Sequence, residues 1–180
     1  SGDPAHGLWL LPKKEDMVRC WVDASELAEG VVLTSEQDDI LADGTWLASP
    51  SDSTSTQKPS THINVRELDV IIKGIEYLIL YGYQKATIMS DSKSAVTWLS
   101  KTLNHQKVIA KGLHRFLIDR RLSLVRSLIH EYSLVLSVQW VSTDRNIADR
   151  LTRLPKPLAG MSSRLCGATI NCSLGGEGLK

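Results

Sequence analysis

Val18-Arg19-Cys20-Trp21-Val22-Asp23 is the run on which the reading of the fold turns, because bulky and β-branched residues lead straight to an acid. Such residues fit a pleated, half-buried surface, so the run predicts a strand with a carboxylate at its exit. Working outward, Gly30-Val31-Val32-Leu33-Thr34 is a second apolar run and Gly44-Thr45-Trp46-Leu47-Ala48 a third, with Asp38-Asp39 as the break between them. Three short strands with polar turns predict an antiparallel meander. Upstream, residues 1–15 read as a loose lead-in. Downstream, Ser49 to Ser60 is rich in Ser, Thr and Pro and reads as a loop.

Asn64-Val65-Arg66-Glu67 has the form of a capping box, with Asn64 as the cap. Leu68, Ile71, Ile72, Ile75, Leu78 and Ile79 then recur at helical spacing, and the helix should end near Gly82. Its isoleucines are modest helix formers, so burial has to stabilise it. Ala86-Thr87-Ile88-Met89-Ser90 predicts a strand ending at Asp91. A helix follows over Ser92 to Leu103, with Ala95, Val96 and Leu99 inward. Asn104 to Gly112 reads as a loop, and Phe116 to Tyr132 as a helix with Leu117, Leu122, Val125, Leu128 and Ile129 on its core side. Leu134 to Val141 predicts a strand. Asn146 to Leu154 predicts a short helix, capped by Asp144 or Asn146 and ended by Pro155 and Pro157. The element order β-β-β-α-β-α-α-β-α implies an α/β domain, a mixed sheet carrying helices, over residues 16–157. Residues 158–180 are rich in Gly, Ser and Cys and read as a flexible tail.

A chain of 180 residues with 42% hydrophobic and 23% charged residues is long enough for one domain with a sizeable core. The formal charge of +1 excludes a polycation. The charges are unevenly placed: ten acids and one base lie between Glu15 and Asp52, against seven bases and one acid between Lys101 and Arg126. A basic segment of this kind is a candidate nucleic-acid surface. The three cysteines, Cys20, Cys166 and Cys172, have neither disulfide-framework nor zinc spacing, and a reducing compartment is the simple expectation. No stretch has the length and apolarity of a membrane span, and Ser1-Gly2-Asp3-Pro4 lacks the layout of a secretory signal.

The chemistry candidates are Asp23, Glu67, Asp91 and Asp149, each carried at the end or first turn of a predicted element. Acids so placed can converge at one end of a sheet. Two divalent ions about 4 Å apart, sharing a carboxylate, would activate water and stabilise the leaving oxygen of a phosphodiester. Spacing alone leaves the alternative open that these are ordinary surface acids among the 20 present.

Four runs carry a resemblance. Trp21-Val22-Asp23-Ala24-Ser25 with Gly30-Val31-Val32-Leu33, then His62-Ile63-Asn64-Val65-Arg66-Glu67-Leu68, then Met89-Ser90-Asp91-Ser92-Lys93-Ser94-Ala95-Val96, and last Asn146-Ile147-Ala148-Asp149-Arg150-Leu151-Thr152-Arg153 follow in order. Together they resemble the ribonuclease H domain of long-terminal-repeat retrotransposon and retroviral-like polyproteins, over residues 18–154. The resemblance implies a ribonuclease H-like, five-stranded mixed sheet of order 3-2-1-4-5 flanked by helices. It implies endonucleolytic hydrolysis of the RNA strand of an RNA–DNA hybrid during reverse transcription, leaving 5′-phosphate and 3′-hydroxyl ends. It also implies two Mg2+ ions as cofactor, with Mn2+ as the substitute. Asp23 would bridge both ions, Glu67 and Asp91 would hold the ion beside the scissile phosphate, and Asp149 would hold the other. Reverse transcriptase or integrase domains would be neighbours in the polyprotein. The setting would be a cytoplasmic retroelement particle, with the nucleus as second location.

One departure stands out. Many members of that family carry a histidine after the last strand, where this chain has Val141-Ser142-Thr143-Asp144-Arg145. Asp144 or Arg145 is a candidate polar contact there, and His105 and His114 lie in the basic segment. For the hybrid surface the candidates are Lys101, Lys107, Lys111 and Arg115, whose phosphate contacts would position a duplex without reading its sequence. Arg120, Arg121 and Arg126 read as a solvated helix face. Ser25 and Ser92 would hydrogen-bond a phosphate or close a turn. Asn64 would contact the RNA sugar or cap its helix. Trp21 and Trp140 are expected in the core or on a sheet face, and Trp98 in the core or against the hybrid. The competing function is a catalytically silent domain of the same fold that binds nucleic acid or packs against a polymerase or integrase.

Overall fold

The computed structural model describes residues 16–47, 63–109 and 114–153. The expected lead-in, the Ser49 to Ser60 loop, His62, Lys111, the tail and the cysteines within it lie outside the described residues. The elements are β1 (Met17–Ala24), β2 (Ala28–Thr34), β3 (Ile40–Leu47), α1 (Ile63–Tyr81), β4 (Lys85–Ser90), α2 (Lys93–Leu103), α3 (Arg115–Glu131), β5 (Val135–Trp140) and α4 (Asp149–Thr152), with a single 3-10 turn at Thr143–Arg145 before α4.

The five strands make one sheet in the order β3-β2-β1-β4-β5. β1, β2 and β3 pair antiparallel through tight turns, whereas β4 and β5 run parallel to β1. Parallel neighbours require a crossover of a dozen or more residues, which α1 supplies before β4, and α2 with α3 before β5. This is the mixed sheet and strand order that the sequence led us to expect.

Two turn details correct the expected boundaries. Asp38 has φ 68° and lies within the β2–β3 turn, where the Ser35 hydroxyl accepts from the amides of Gln37 and Asp39 at 3.1 and 3.2 Å. Pairing resumes at once, with Ile40 opposite Thr34, so β3 begins at Ile40 rather than Gly44. The acid pair that breaks the apolar pattern is itself the turn. At the other boundary α1 begins at Ile63, so Asn64 sits inside its first turn rather than at the cap position.

The main core lies between one face of the sheet and α1, α2 and α3. Val18, Cys20 and Val22 alternate along β1 and are fully buried with Leu68, Ile71, Ile75 and Leu78 of α1. Each such side chain contributes about 1.5–3 kcal/mol on burial. Gly74 permits the close approach, since a Cβ there would stand 2.7 Å from Cys20 Sγ and 3.0 Å from Val22 Cγ1. From α3, Ile118, Leu122 and Val125 close the core, while Leu117, expected inward, is 41% exposed. The helical pattern is displaced by one residue at that end. From α2, Ala95 and Leu99 are buried as expected.

The opposite face carries a smaller cluster, Trp21, Val32, Met89, Val141 and Ala148, under Ile147 and Leu151. The expected helix over Asn146 to Leu154 is only the four residues of α4, because Asn146 is committed elsewhere: its side chain donates to Val22 O at 2.9 Å and accepts from Ala148 N at 3.2 Å.

Candidate active site

Asp23 is near the end of β1, and Asp91 is the first residue past β4. Trp21 pairs with Met89 across these parallel strands, so each acid lies two residues beyond the same pair. Neighbouring strands run about 5 Å apart, which sets the two carboxylates side by side at the carboxyl edge of the sheet. In open α/β sheets this edge is where ligands bind.

Asp149 opens α4, which lies across β2 and β1 because Gly30 has no side chain. A Cβ at Gly30 would come within 2.9 Å of Leu151 Cβ and 3.1 Å of Ala148 O. Gly30 is the cross-strand partner of Asp23, so the gap that admits α4 faces the site. Glu67 lies past the first turn of α1, which starts at Ile63, rather than in it, and feels the charges of Asp23 and Asp91.

The acids are held from the C-terminal stretch. The Thr152 hydroxyl donates to Asp23 Oδ2, and the Thr152 carbonyl accepts from Ser25 Oγ at 2.8 Å. The Thr143 hydroxyl donates to Asp91 Oδ2 at 2.7 Å, and Trp140 Nε1 donates to the Asp91 carbonyl at 2.9 Å. Arg153 Nε donates to Asp149 Oδ1 at 2.8 Å. Asp144 and Arg145, the expected polar contacts, are exposed in the 3-10 turn, and Thr143 makes the bond instead.

The charges feel one another. Burial first, then the charges of Asp23 and Asp91, push the Glu67 carboxyl up to about 8, with Arg66 opposing and Glu29 adding. Asp23 is likewise raised by burial; the Thr152 hydrogen bond opposes, Asp91 and Asp149 raise it further, and Arg153 opposes. Glu67 Oε2 is buried without a hydrogen-bond partner among the described residues. Among the described residues no three acids, histidines or cysteines are gathered as a ready-made ligand set. The donor chemistry nonetheless fits a hard divalent cation: the groups are carboxylates, and one buried oxygen lacks a partner among the described residues.

The expected substrate contacts divide into two groups. Ser25 closes the β1–β2 turn, accepting from Leu27 N and Ala28 N at 3.1 Å each. Ser92 caps α2 by accepting from Ala95 N at 3.4 Å. Both hydroxyls thus have internal roles, as the turn-closing alternative had it. Lys101 and Lys107 are exposed at the end of α2 and beyond it. Arg115 lies 3.6 Å from Asp119 in an exposed pair. Arg121 is no solvated bystander, because its guanidinium grips Asp69 of α1 at 2.6 and 2.8 Å. Trp21 is in the small cluster, where its indole donates to Thr34 Oγ1 at 3.1 Å, and Trp98 packs against the main core. Trp140 is 44% exposed, with the Lys93 ammonium 5.1 Å from its ring centroid. His105 is exposed past α2, and His114 immediately precedes α3.

Sequence reasoning missed Thr143, Thr152 and Asn146 as partners of the site. Thr152 was within reach of it: three residues after Asp149 on a helix is one turn, hence the same face. The bond from Asn146 to Val22 spans 124 residues and has no local signal.

No family model matches the sequence, and no curated protein matches it. Solved structures do. RNase H1 of the halophilic archaeon Halobacterium salinarum is similar at 22% identity, over 75% of this chain and 93% of that one, with a TM-score of 0.56. The N-terminal RNase H domain of a Mycobacterium tuberculosis protein matches at 17% identity, over 83% and 99%, with a TM-score of 0.58. LC11-RNase H1, solved in complex with an RNA/DNA hybrid, matches at 15% identity, over 75% and 91%, with a TM-score of 0.55. At these identities the likeness is one of architecture: the chain has the ribonuclease H-like fold.

Proposed function

We propose that this protein is a ribonuclease H, which hydrolyses the RNA strand of an RNA–DNA hybrid with divalent metal, and that Asp23, Glu67, Asp91 and Asp149 hold the metal. One observation carries the reading. The charges of Asp23 and Asp91 bear on Glu67 and those of Asp91 and Asp149 on Asp23, and the buried Glu67 Oε2 has no hydrogen-bond partner among the described residues. A fold does not position such a group for its own stability, because an unpaired buried oxygen costs about 1–3 kcal/mol.

Asp23 would supply the shared ligand, Glu67 and Asp91 would hold the ion beside the scissile phosphate, and Asp149 would hold the other. A pair of Mg2+ ions, or Mn2+ in their place, would supply Lewis-acid stabilisation of the phosphodiester and an activated water. This chain's own part is to fix the carboxylates and to seat the hybrid. Lys101, Lys107 and Arg115, with Lys111 between them in sequence, would contact phosphates along one side. LC11-RNase H1 holds such a hybrid in the same fold, which supports the choice of substrate. The proposed context is reverse transcription in a retroelement polyprotein, beside polymerase or integrase domains, in a cytoplasmic particle or the nucleus.

The test is incubation of the protein with labelled RNA–DNA hybrid, single-stranded RNA, duplex RNA and duplex DNA, each with Mg2+ and with chelator. Cleavage confined to the RNA of the hybrid, and lost with chelator, is expected. Hybrid binding without cleavage at any metal concentration would instead indicate the silent domain, a reading favoured by the lack of a preassembled ligand set among the described residues.

A further inference from the structure

We infer that Thr143 and Thr152 are positioning residues that each commit one oxygen of a site carboxylate to a hydroxyl, leaving the other oxygen for the cation. The inference rests on the divalent-metal reading above. A carboxylate rotates over a broad, two-fold torsion, so its Cα position alone does not decide which oxygen faces a ligand. Here something does decide it. Thr152 Oγ1 donates to Asp23 Oδ2, and Thr143 Oγ1 donates to Asp91 Oδ2. Among the described residues no hydrogen bond engages Oδ1 of either acid.

The two hydroxyls do this in different settings. Thr152 is 2% exposed. Its Oγ1 also lies 3.1 Å from the Asp149 carbonyl, so one proton has two acceptors. The charged carboxylate is the stronger acceptor, which directs the proton to Asp23. Thr143 is exposed in the 3-10 turn, and its bond is the side-chain half of a double hold on Asp91, whose carbonyl is taken by Trp140. The exit of β5 and α4 therefore orient the acids of β4 and β1, and each hydrogen bond opposes the repulsion within the cluster.

Loss of a hydrogen-bond partner behind a metal ligand typically costs 10–100-fold in metal affinity. Calorimetric titration of Mg2+ into the full chain, without nucleic acid, should show Thr143→Val and Thr152→Val each weakening binding about tenfold or more, while Thr143→Ser and Thr152→Ser stay near wild type. Circular dichroism checks folding; if buried Thr152→Val does not fold, the exposed Thr143 pair decides. A valine variant that folds and binds Mg2+ as wild type does, even with a lowered Tm, overturns the positioning role and leaves the metal reading standing. A wild type that binds no Mg2+ overturns both.

Discussion

The two faces of the sheet are built on different terms. On one, α1, α2 and α3 cover a broad apolar core in which Val18, Val22, Leu68, Ile71, Ile75 and Leu122 are fully buried. On the other, the four residues of α4 cover a small cluster and are fastened by polar bonds: Asn146 to Val22, Ser25 to Thr152 and Thr152 to Asp23. Hydrophobic burial is non-directional, so it stabilises without fixing an angle. Hydrogen bonds contribute less net free energy each but set geometry. The first face thus supplies stability, and the second places Asp149 and orients Asp23.

The division breaks most visibly in the core. Ile75→Ala should cost about 2–5 kcal/mol of unfolding free energy, measured in denaturant, because it leaves a cavity against β1. Hybrid cleavage per folded molecule should hardly change. A matching loss of turnover by the folded fraction would mean that the core also sets the site.

The site edge should oppose stability where the core supports it. Glu67 has a folded pKa of about 8 against an ordinary value of 4.5. A group that binds its proton more tightly when folded favours the fold fully below the lower value and loses that contribution as pH rises through the higher one. Without metal, stability should therefore fall between about pH 4.5 and 8. The fall should reach up to a few kcal/mol, since each tenfold difference in proton affinity is worth about 1.4 kcal/mol. Glu67→Gln should flatten the profile, and saturating Mg2+ should do so in wild type. A metal-free stability that is level across this range, by thermal unfolding, would contradict the placement of Glu67.

Gly30→Ala perturbs the other face, from the α4 side. The added Cβ would press on Leu151 and the Ala148 carbonyl. Overpacking of this kind costs about 1–3 kcal/mol, and it should displace Asp149, so turnover should fall in the folded protein, opposite to Ile75→Ala. Retained turnover with lowered stability would show that α4 tolerates the shift.

The smallest effect is expected on the basic segment. Lys107→Ala with Arg115→Ala should weaken hybrid binding and reduce its log–log salt slope by roughly one for each phosphate that is no longer neutralised. The exposed Arg115–Asp119 pair adds little to stability, so Tm should stay put. Unchanged slope and affinity would make this segment a solvated face.

How much of this was legible in the chain follows the same division. Period-2 and helical apolar patterns report burial, and burial built the first face, so β1, β2, β4, α1 and α2 could be read within a few residues. The places of Asp23, Asp91 and Asp149 were legible because each lies at the end or start of an element, whereas Glu67 lies past the first turn of α1. What failed was decided by geometry between distant residues. Asn146 forgoes a helix to bond Val22, Arg121 leaves solvent for Asp69, and Thr143 fills a place where a charged neighbour was expected. β3 was misread because Asp38 adopts a left-handed turn conformation that side-chain pattern alone does not report.

The carboxylates at the sheet edge are proposed to form one divalent-cation site for cutting RNA in a hybrid. Hybrid cleavage by wild type and Asp91→Asn across a magnesium titration tests it most directly. Asp91 lies outside the apolar core, so the variant should fold with Tm near or above that of wild type, since one repelling charge is gone. Its cleavage should drop by at least about 100-fold, beyond what loss of a supporting hydrogen bond costs, at every magnesium concentration. Comparable cleavage by the Asn variant anywhere along the titration would contradict the assignment.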